Sequence, residues 1–144
     1  MKLLFGLFVF ISMLSLAGCK KDAVAVDITK ICAADNEKKY VVTSGFLDDR
    51  GSIFCSNIGG GPVRCGMDVI ASPGGTKAFS ADIEEGSGSD EIEKLPSGYK
   101  KEDIKVHDNG GKIVGFSDKL TFTGQMSITP DGSVCFMTVD KIEK

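Results

Sequence analysis

Five cysteines lie among the 144 residues of this chain, and cysteine is the residue type here with the widest choice of chemistry. A thiolate can attack a substrate, bind a metal ion or form a disulfide. Four of the five form an even set, Cys32, Cys55, Cys65 and Cys135, and none of their spacings matches the C-x-x-C pattern of zinc sites. We therefore expect two structural disulfides and no metal site. Of the three possible pairings, the preferred one joins Cys55 to Cys65 and Cys32 to Cys135.

His107 is the only histidine and the first candidate for a general base at neutral pH. Asp103 and Asp108 lie nearby in sequence and could orient its ring, but no nucleophile in a G-x-S-x-G pattern accompanies them. The glycine run 59–61 lacks the Lys-Ser/Thr pair that follows in a phosphate-binding loop. The sequence therefore predicts no catalytic residue and no cofactor.

Aromatic and basic side chains are the remaining candidates for binding chemistry. If they lie exposed near one end of the fold, they form a patch suited to carbohydrate or peptide contact. The alternative is that they complete the core. The residues are Tyr40, Phe54, Arg64 and Tyr99.

The N-terminal residues 1–18 have the pattern of a secretion signal. Lys2 supplies a small positive region, and residues 3–16 form an apolar run that is shorter than the about 20 residues needed to span a bilayer. The run ends in LAGC at residues 16–19, which resembles the lipobox of bacterial lipoproteins. That resemblance implies cleavage before Cys19 and lipidation of its thiol.

A lipidated Cys19 implies that the membrane is a partner of this chain, because two or three acyl chains hold a protein stably at a bilayer. Lys20 and Lys21 stand where the family's inner-membrane retention signal would place an acidic residue. We therefore expect the chain to be anchored in the outer membrane, on either its periplasmic face or the cell surface. Residues 19–26 are expected to form a lipidated tether, and residues 27–144 are expected to form one folded domain.

Composition and charge fit that single domain. The chain is 42% hydrophobic and 26% charged, an ordinary globular composition. Its formal net charge is −3, and removal of Lys2 with the signal peptide makes it one unit more negative. Phosphate binding needs clustered lysine and arginine, so nucleic acid is not an expected partner.

Alternating apolar and polar residues predict several short antiparallel strands. KYVVTSGFL at 39–47 predicts the first long strand, with Gly45 where a strongly bent barrel strand needs a residue without a side chain. The segment 27–34 predicts either a helical turn or a strand, and GSGSDEIEKL at 86–95 predicts a short helix. Further strands are expected over 51–57, 63–71, 78–85, 104–107, 112–114, 120–128 and 133–142.

Three segments together resemble the OB-fold lipoproteins related to the tRNA-anti-like group. They are KKYVVTSGFL at 38–47, GFSDKLTFTGQMS at 115–127 and CFMTVDKIEK at 135–144. The resemblance implies a mainly β fold, a small antiparallel five-stranded Greek-key barrel, with a helix between its third and fourth strands.

The expected function is a lipid-anchored cell-envelope binding or interaction module without enzyme activity. Its expected partner is an envelope protein or a cell-wall glycan. The alternative is a proteinaceous inhibitor of a lytic enzyme, because small disulfide-bonded lipoproteins of the lysozyme-inhibitor type share this size and location. Their family motif does not occur in this sequence.

Overall fold

The computed structural model describes residues 21–144. The predicted signal peptide and Cys19 therefore lie outside the described residues. In the described part the chain forms strands joined by short 3-10 helices at Ile28–Lys30, Ala34–Asn36, Ile58–Gly60 and Lys101–Asp103. The strands are β1 (Val24–Ala25), β2 (Tyr40–Leu47), β3 (Phe54–Ser56), β4 (Arg64–Ile70), β5 (Lys77–Glu85), β6 (Glu91–Ile92), β7 (Val106–His107), β8 (Ile113–Val114), β9 (Leu120–Ile128) and β10 (Cys135–Glu143). No helix within 21–144 is long and apolar enough to cross a membrane.

Five of the strands close a small barrel in the order β2, β4, β5, β10, β9 and back to β2. All neighbours are antiparallel except β5 and β10, which run parallel. The contact between β2 and β4 is short, since it pairs only Phe46 with Ile70 and Leu47 with Val69. The prediction of a small, mainly β barrel is confirmed.

The barrel core consists of the inward-facing residues that the alternation predicted. On β5, Phe79, Ala81 and Ile83 are buried, and the polar residues between them face outward. The rings of Phe79 and Phe122 meet edge to face with centroids 6.1 Å apart. Such pairs add stability beyond the apolar area they bury, so this contact holds β5 and β9 together across the core.

Two glycines allow strands to approach more closely than any other residue would. A Cβ on Gly45 would lie 2.8 Å from the Ile70 carbonyl oxygen, and one on Gly124 would overlap the Thr138 carbonyl oxygen. Both neighbours are backbone atoms of the next strand, which cannot move aside cheaply. Gly45 therefore stands at a position where a side chain does not fit, as the sequence predicts; the bend of the strand stays a prediction.

The short helix predicted over 86–95 is wrong, because the described residues contain only 3-10 helices and this segment forms β6. Asp90 has a φ of 62°, a left-handed conformation that an α-helix does not allow. Ile92 is fully buried, and β6 pairs in parallel with the end of β5. The segment between Gly88 and Pro96 is too short for helical hydrogen bonds to offset the free-energy cost of helix nucleation. A short strand instead allows Ile92 to be buried.

Strands β6, β7 and β8 form a small extension of the sheet, which we call the side sheet. β6 and β7 are antiparallel, as are β7 and β8. The strands predicted over 104–107 and 112–114 are present as the shorter β7 and β8, which a turn joins.

The N-terminal part of the domain also differs from expectation. The ambiguous segment 27–34 contains a 3-10 helix at Ile28–Lys30, capped by the Asp27 carboxylate, which accepts a hydrogen bond from the Thr29 amide. Val24–Ala25, assigned to the tether by the sequence, is strand β1 and pairs in parallel with β2. The ordered domain therefore begins earlier than residue 27.

Two disulfides are present, Cys32–Cys135 and Cys55–Cys65, which is the pairing preferred from the sequence. Cys55 and Cys65 are direct cross-strand neighbours on β3 and β4. The other disulfide joins the start of the domain to the first residue of β10.

Candidate ligand-binding groove

A groove of about 940 Å³ lies on the outer face of β4, β5 and β10. One wall is the segment between β2 and β4, which includes β3, and the opposite wall is the turn between β9 and β10. Ligand pockets commonly measure 300–1,000 Å³, so the volume suits a small molecule or a short stretch of polymer.

Apolar side chains form the rim of this groove. Phe54 is 73% exposed and Ile58 is 91% exposed on one wall, and Val134 is 44% exposed on the other. Only two other large apolar residues of the described chain are exposed, Val24 and Ile113, and neither lines the groove. Exposed apolar residues gathered at a concave site indicate a binding surface, whereas scattered ones carry no such meaning.

Local contacts hold both walls in place. The Cys55–Cys65 disulfide fixes β3 to β4, and the hydroxyl of Tyr99 accepts a hydrogen bond from the Ile53 amide at 2.8 Å. In the opposite turn, hydrogen bonds from the Thr129 hydroxyl and from Ser133 lower the pKa of Asp131 to about 2. The two walls that carry the apolar rim residues are therefore held in place by a disulfide and by hydrogen bonds.

The floor of the groove is polar because alternation along β4 and β5 turns every second residue outward. Asp68 on β4 forms an ion pair with Lys77 at 2.8 Å and lies 3.5 Å from the Ser80 hydroxyl. Gly66 and Asp82 are cross-strand neighbours in the middle of the floor.

Arg64 lies at one end of the floor and contacts two strands besides its own. Its guanidinium pairs with Glu84 at 3.1 Å and lies 3.4 Å from the carbonyl oxygens of Asp82 on β5 and Val139 on β10. Residue pairing between β5 and β10 covers only Phe136 to Thr138 on β10. Arg64 therefore bridges the two strands just beyond the end of that pairing.

Asp82 is the one charged group of the floor that lacks a bonded partner. Within residues 21–144 its carboxylate makes no hydrogen bond and no ion pair. Partial burial raises its pKa, and the nearby charge of Arg64 opposes that shift less strongly. Burial therefore disfavours the ionised form of this carboxylate relative to a carboxylate in water.

The structure brings together two of the four candidate binding residues. Phe54 and Arg64 both line the groove, but Tyr40 and Tyr99 do not. Tyr40 lies on β2 with the Lys21 ammonium 5.7 Å from its ring centre, and burial followed by the Asp140 charge raises its pKa. Tyr99 supports the wall that carries Phe54 through the Ile53 amide.

Sequence reasoning missed three residues of the groove. Asp82 lies on the outward face of the strand predicted over 78–85, and the sequence assigns it to a solvated acidic face, because the acids of this region lack the spacing of a cation-binding loop. Ile58 lies in the 3-10 helix Ile58–Gly60, and Val134 lies in the turn between β9 and β10. Neither segment has an alternating pattern from which the exposure of a side chain could be predicted. Their gathering depends on which turns meet across β4, β5 and β10.

His107 has both ring nitrogens engaged. One lies 2.9 Å from a Glu93 carboxylate oxygen and the other 3.1 Å from the Gly111 carbonyl oxygen. Both partners only accept hydrogen bonds, so the geometry favours the doubly protonated ring. The Gly111 carbonyl first, and then Glu93, raise the pKa of His107. A ring held in this way is not free to take a proton from a substrate.

Potential metal ligands gather at one place in residues 21–144, where Cys55, Cys65 and Glu85 approach each other. The two sulfur atoms are joined in a disulfide and offer no thiolate. Glu85 alone does not make a metal site.

The groove is thus defined by geometry: an apolar rim, a polar floor and one unpaired carboxylate. The resemblance to OB-fold lipoproteins rests on the three sequence segments given above. Comparison of the chain with protein-family models, with curated proteins and with solved structures finds no match.

Proposed function

We propose that this chain is a lipid-anchored binding module of the cell envelope and that its ligand occupies the groove on β4, β5 and β10. The observation that carries the proposal is the gathering of Phe54, Ile58 and Val134 at one concave site. Leaving them exposed forgoes about 1.5–3 kcal/mol of burial each, which a bound partner would recover. The module acts by binding and not by catalysis, since His107 is engaged on both sides.

The anchor part of the proposal depends on Cys19. The LAGC segment at 16–19 supports it through its resemblance to a lipobox. Replacing Cys19 with serine removes the thiol that lipidation requires, so the chain is expected to leave the membrane fraction, which we propose to be that of the outer membrane. Detergent phase separation of wild type and Cys19→Ser measures this, and equal partition of both into the detergent phase contradicts the anchor.

We also propose that the barrel is an OB-fold. Its strand order supports this: β2, β4 and β5 pair in succession, and β9 returns to lie beside β2, which is the 4-1-2-3 order of a Greek key. OB-folds bind ligands on the face of their second and third strands and on two loops, positions that β4, β5 and the two groove walls occupy here. The side sheet stands where the resemblance implies a helix, and this is a departure from that family.

The floor charges argue against nucleic acid as the ligand. Two cations line the groove, Arg64 and Lys77. They face three carboxylates: Asp68 and Asp82 in the lining, and Glu84, which pairs with Arg64 from outside the lining. A phosphate backbone requires the opposite excess. An envelope protein or a cell-wall glycan remains the proposed partner.

Capture of envelope components by the whole chain, kept in detergent, tests the proposal. Ile58→Ser removes an apolar contact from the rim, and Ile113→Ser is its matched control because Ile113 is 57% exposed away from the groove. We expect bound protein or glycan to decrease with Ile58→Ser and to stay unchanged with Ile113→Ser. Equal retention by both variants would rule out the groove as the site.

The second candidate function is inhibition of a lytic enzyme. The observation that favours it is the loop closed by the Cys55–Cys65 disulfide, which presents Ile58 almost fully to solvent. A pinned apolar loop is suited to enter an enzyme cleft at low entropic cost. Assays of muramidase activity with wild type and Ile58→Ser distinguish the two functions, since only an inhibitor lowers turnover.

A further inference from the structure

We propose that the groove receives a segment of a protein partner in which a lysine or arginine side chain is flanked by apolar residues. The Asp82 carboxylate takes the cationic group, and the rim residues Phe54, Ile58 and Val134 take the flanking apolar side chains. This inference rests on the proposed function, because it names the occupant of the same groove.

Charge is the first argument. On the floor, Asp68 is paired with Lys77 at 2.8 Å, and Arg64 is paired at 3.1 Å with Glu84, which lies outside the groove lining. Asp82 has neither an ion pair nor a hydrogen bond among the described residues. One negative charge is therefore left over, and its complement is one positive group on the ligand.

Space around Asp82 is the second argument. Its cross-strand neighbours are Gly66 on β4 and Thr138 on β10, both small. A Cβ added to Gly66 would lie 3.3 Å from the Asp82 carboxylate oxygen, so the missing side chain leaves that oxygen accessible from the groove. An ammonium or guanidinium group can therefore approach it directly.

Desolvation supports the same conclusion. Burial raises the pKa of Asp82, which means that the ionised form lacks the solvation it would have in water. A cation bound next to it restores favourable electrostatics in a site that is partly shielded from solvent, where charge pairs gain more than at an open surface.

The apolar rim decides between ligand classes. A lysine side chain carries an apolar stem to its charged end, and apolar neighbours in the same segment match Phe54, Ile58 and Val134. A neutral glycan can donate hydroxyl hydrogen bonds to Asp82, but it carries no positive charge to balance the carboxylate. A cationic and apolar peptide segment satisfies both features at once.

Fluorescein-labelled peptides of the form Val-Phe-X-Phe-Val, with X as Lys, Arg, Gln or Glu, test the inference by fluorescence anisotropy against the whole chain in detergent. Because hydrogen bonds to charged groups contribute about 1.5–3 kcal/mol, the Lys and Arg peptides are expected to bind about tenfold or more tightly than the Gln peptide. Asp82→Asn should abolish that preference. Asp35→Asn, an exposed aspartate outside the groove, should leave it intact.

Three outcomes overturn the inference: equal binding of the Lys and Gln peptides, a preference that survives Asp82→Asn, or tighter binding of a neutral oligomer of N-acetylglucosamine than of the Lys peptide. Thermal unfolding of Asp82→Asn excludes misfolding as the cause of any loss. The proposed function is judged separately by Ile58→Ser and Ile113→Ser in the capture experiment. If Ile58→Ser weakens capture while the peptides show no preference for a cation, the groove stands and only its occupant is wrong.

Discussion

The groove and the side sheet lie towards opposite ends of β5. They differ in whether their apolar side chains are buried and whether their polar groups have hydrogen-bond partners. In the side sheet, Ile92, Val106 and Val114 are buried. In the groove, Phe54 and Ile58 are exposed. Apolar residues that a fold leaves in solvent do not contribute their burial to stability, so the difference supports the proposal that the groove binds a ligand while the side sheet is structural.

Their polar groups differ in the same way. In the side sheet, His107 has two partners, and the Asp108 carboxylate accepts hydrogen bonds from the amides of Gly110 and Lys112. The Asp90 carboxylate accepts one from the Ile142 amide on β10. In the groove, Asp82 has none. Satisfied polar networks fix a structure, whereas the unpaired Asp82 carboxylate leaves its bonding capacity open to the ligand that we propose.

The disulfides should show the largest effect, because Cys32–Cys135 lines the groove and Cys55–Cys65 joins β3, in one groove wall, to β4. In the chain-entropy model a loop near 100 residues contributes about 4.7 kcal/mol. The double replacement Cys32→Ser and Cys135→Ser is therefore expected to lower the free energy of unfolding by about 4–5 kcal/mol.

Urea unfolding of the oxidised proteins measures this loss, with Cys55→Ser and Cys65→Ser as the comparison. That pair closes a loop of sequence separation 10, so the same model predicts a smaller loss, about 2.7 kcal/mol. A larger effect from the short loop would contradict the entropic account and indicate that β3 is the weaker element.

Asp90 tests whether the side sheet depends on its satisfied polar groups. Asp90→Ala leaves the buried Ile142 amide without an acceptor and keeps a residue with a Cβ at positive φ, so a loss of about 1–3 kcal/mol is expected. Asp90→Asn keeps an acceptor and tolerates that φ, and should lose less. Urea unfolding compares the two, and equal losses would show that the hydrogen bond to Ile142 contributes nothing.

His107 and Asp82 both have a raised pKa, but for opposite physical reasons. For His107 the charged form is bonded to Gly111 and Glu93, so its stabilisation is complete below about pH 6.5 and is lost as the pH rises through the folded pKa. The melting temperature of wild type should therefore decrease as the pH rises from about 6.5 through the folded pKa of His107, and that of His107→Gln should decrease less. NMR titration of the ring, with a midpoint at or below about 6.5, would contradict the prediction.

Asp82 should show the smallest effect, at lower pH. Its charged form is desolvated, so wild type loses stability as the pH rises above about 3.8 through the raised folded pKa. Asp82→Asn removes that loss and is expected to melt slightly above wild type at neutral pH. A lower melting temperature for Asp82→Asn would show that the carboxylate supports the fold and would remove the contrast with the side sheet.

Many of the strands could be predicted from the sequence, because each buries one face and so alternates apolar and polar residues. The alternation of LTFTGQMSI predicted β9, and its inward residues Leu120, Phe122, Met126 and Ile128 are buried. The segment that became β6 was misread, since the residues DEIEKL carry no strand period over so short a length. Its conformation follows from the burial of Ile92 and the parallel pairing with β5, which are tertiary contacts.

The candidate site was only partly readable. Phe54 and Arg64 were chosen for their residue types, and they meet in the groove because β3 and β4 are neighbours. Tyr40 and Tyr99 were chosen on the same grounds and lie elsewhere, since residue type carries no information on which face of a closed barrel a strand presents.

By itself the sequence determined a mainly β domain, its inward faces and an even set of cysteines for disulfides. These properties are local: they follow from period-two alternation, turn residues and counting. The tertiary structure decided that the segment with β3 faces the turn between β9 and β10, and that Asp82 lies unpaired between Gly66 and Thr138. Those facts depend on the order in which distant strands pair, and strand order is set by the packing of the whole barrel core.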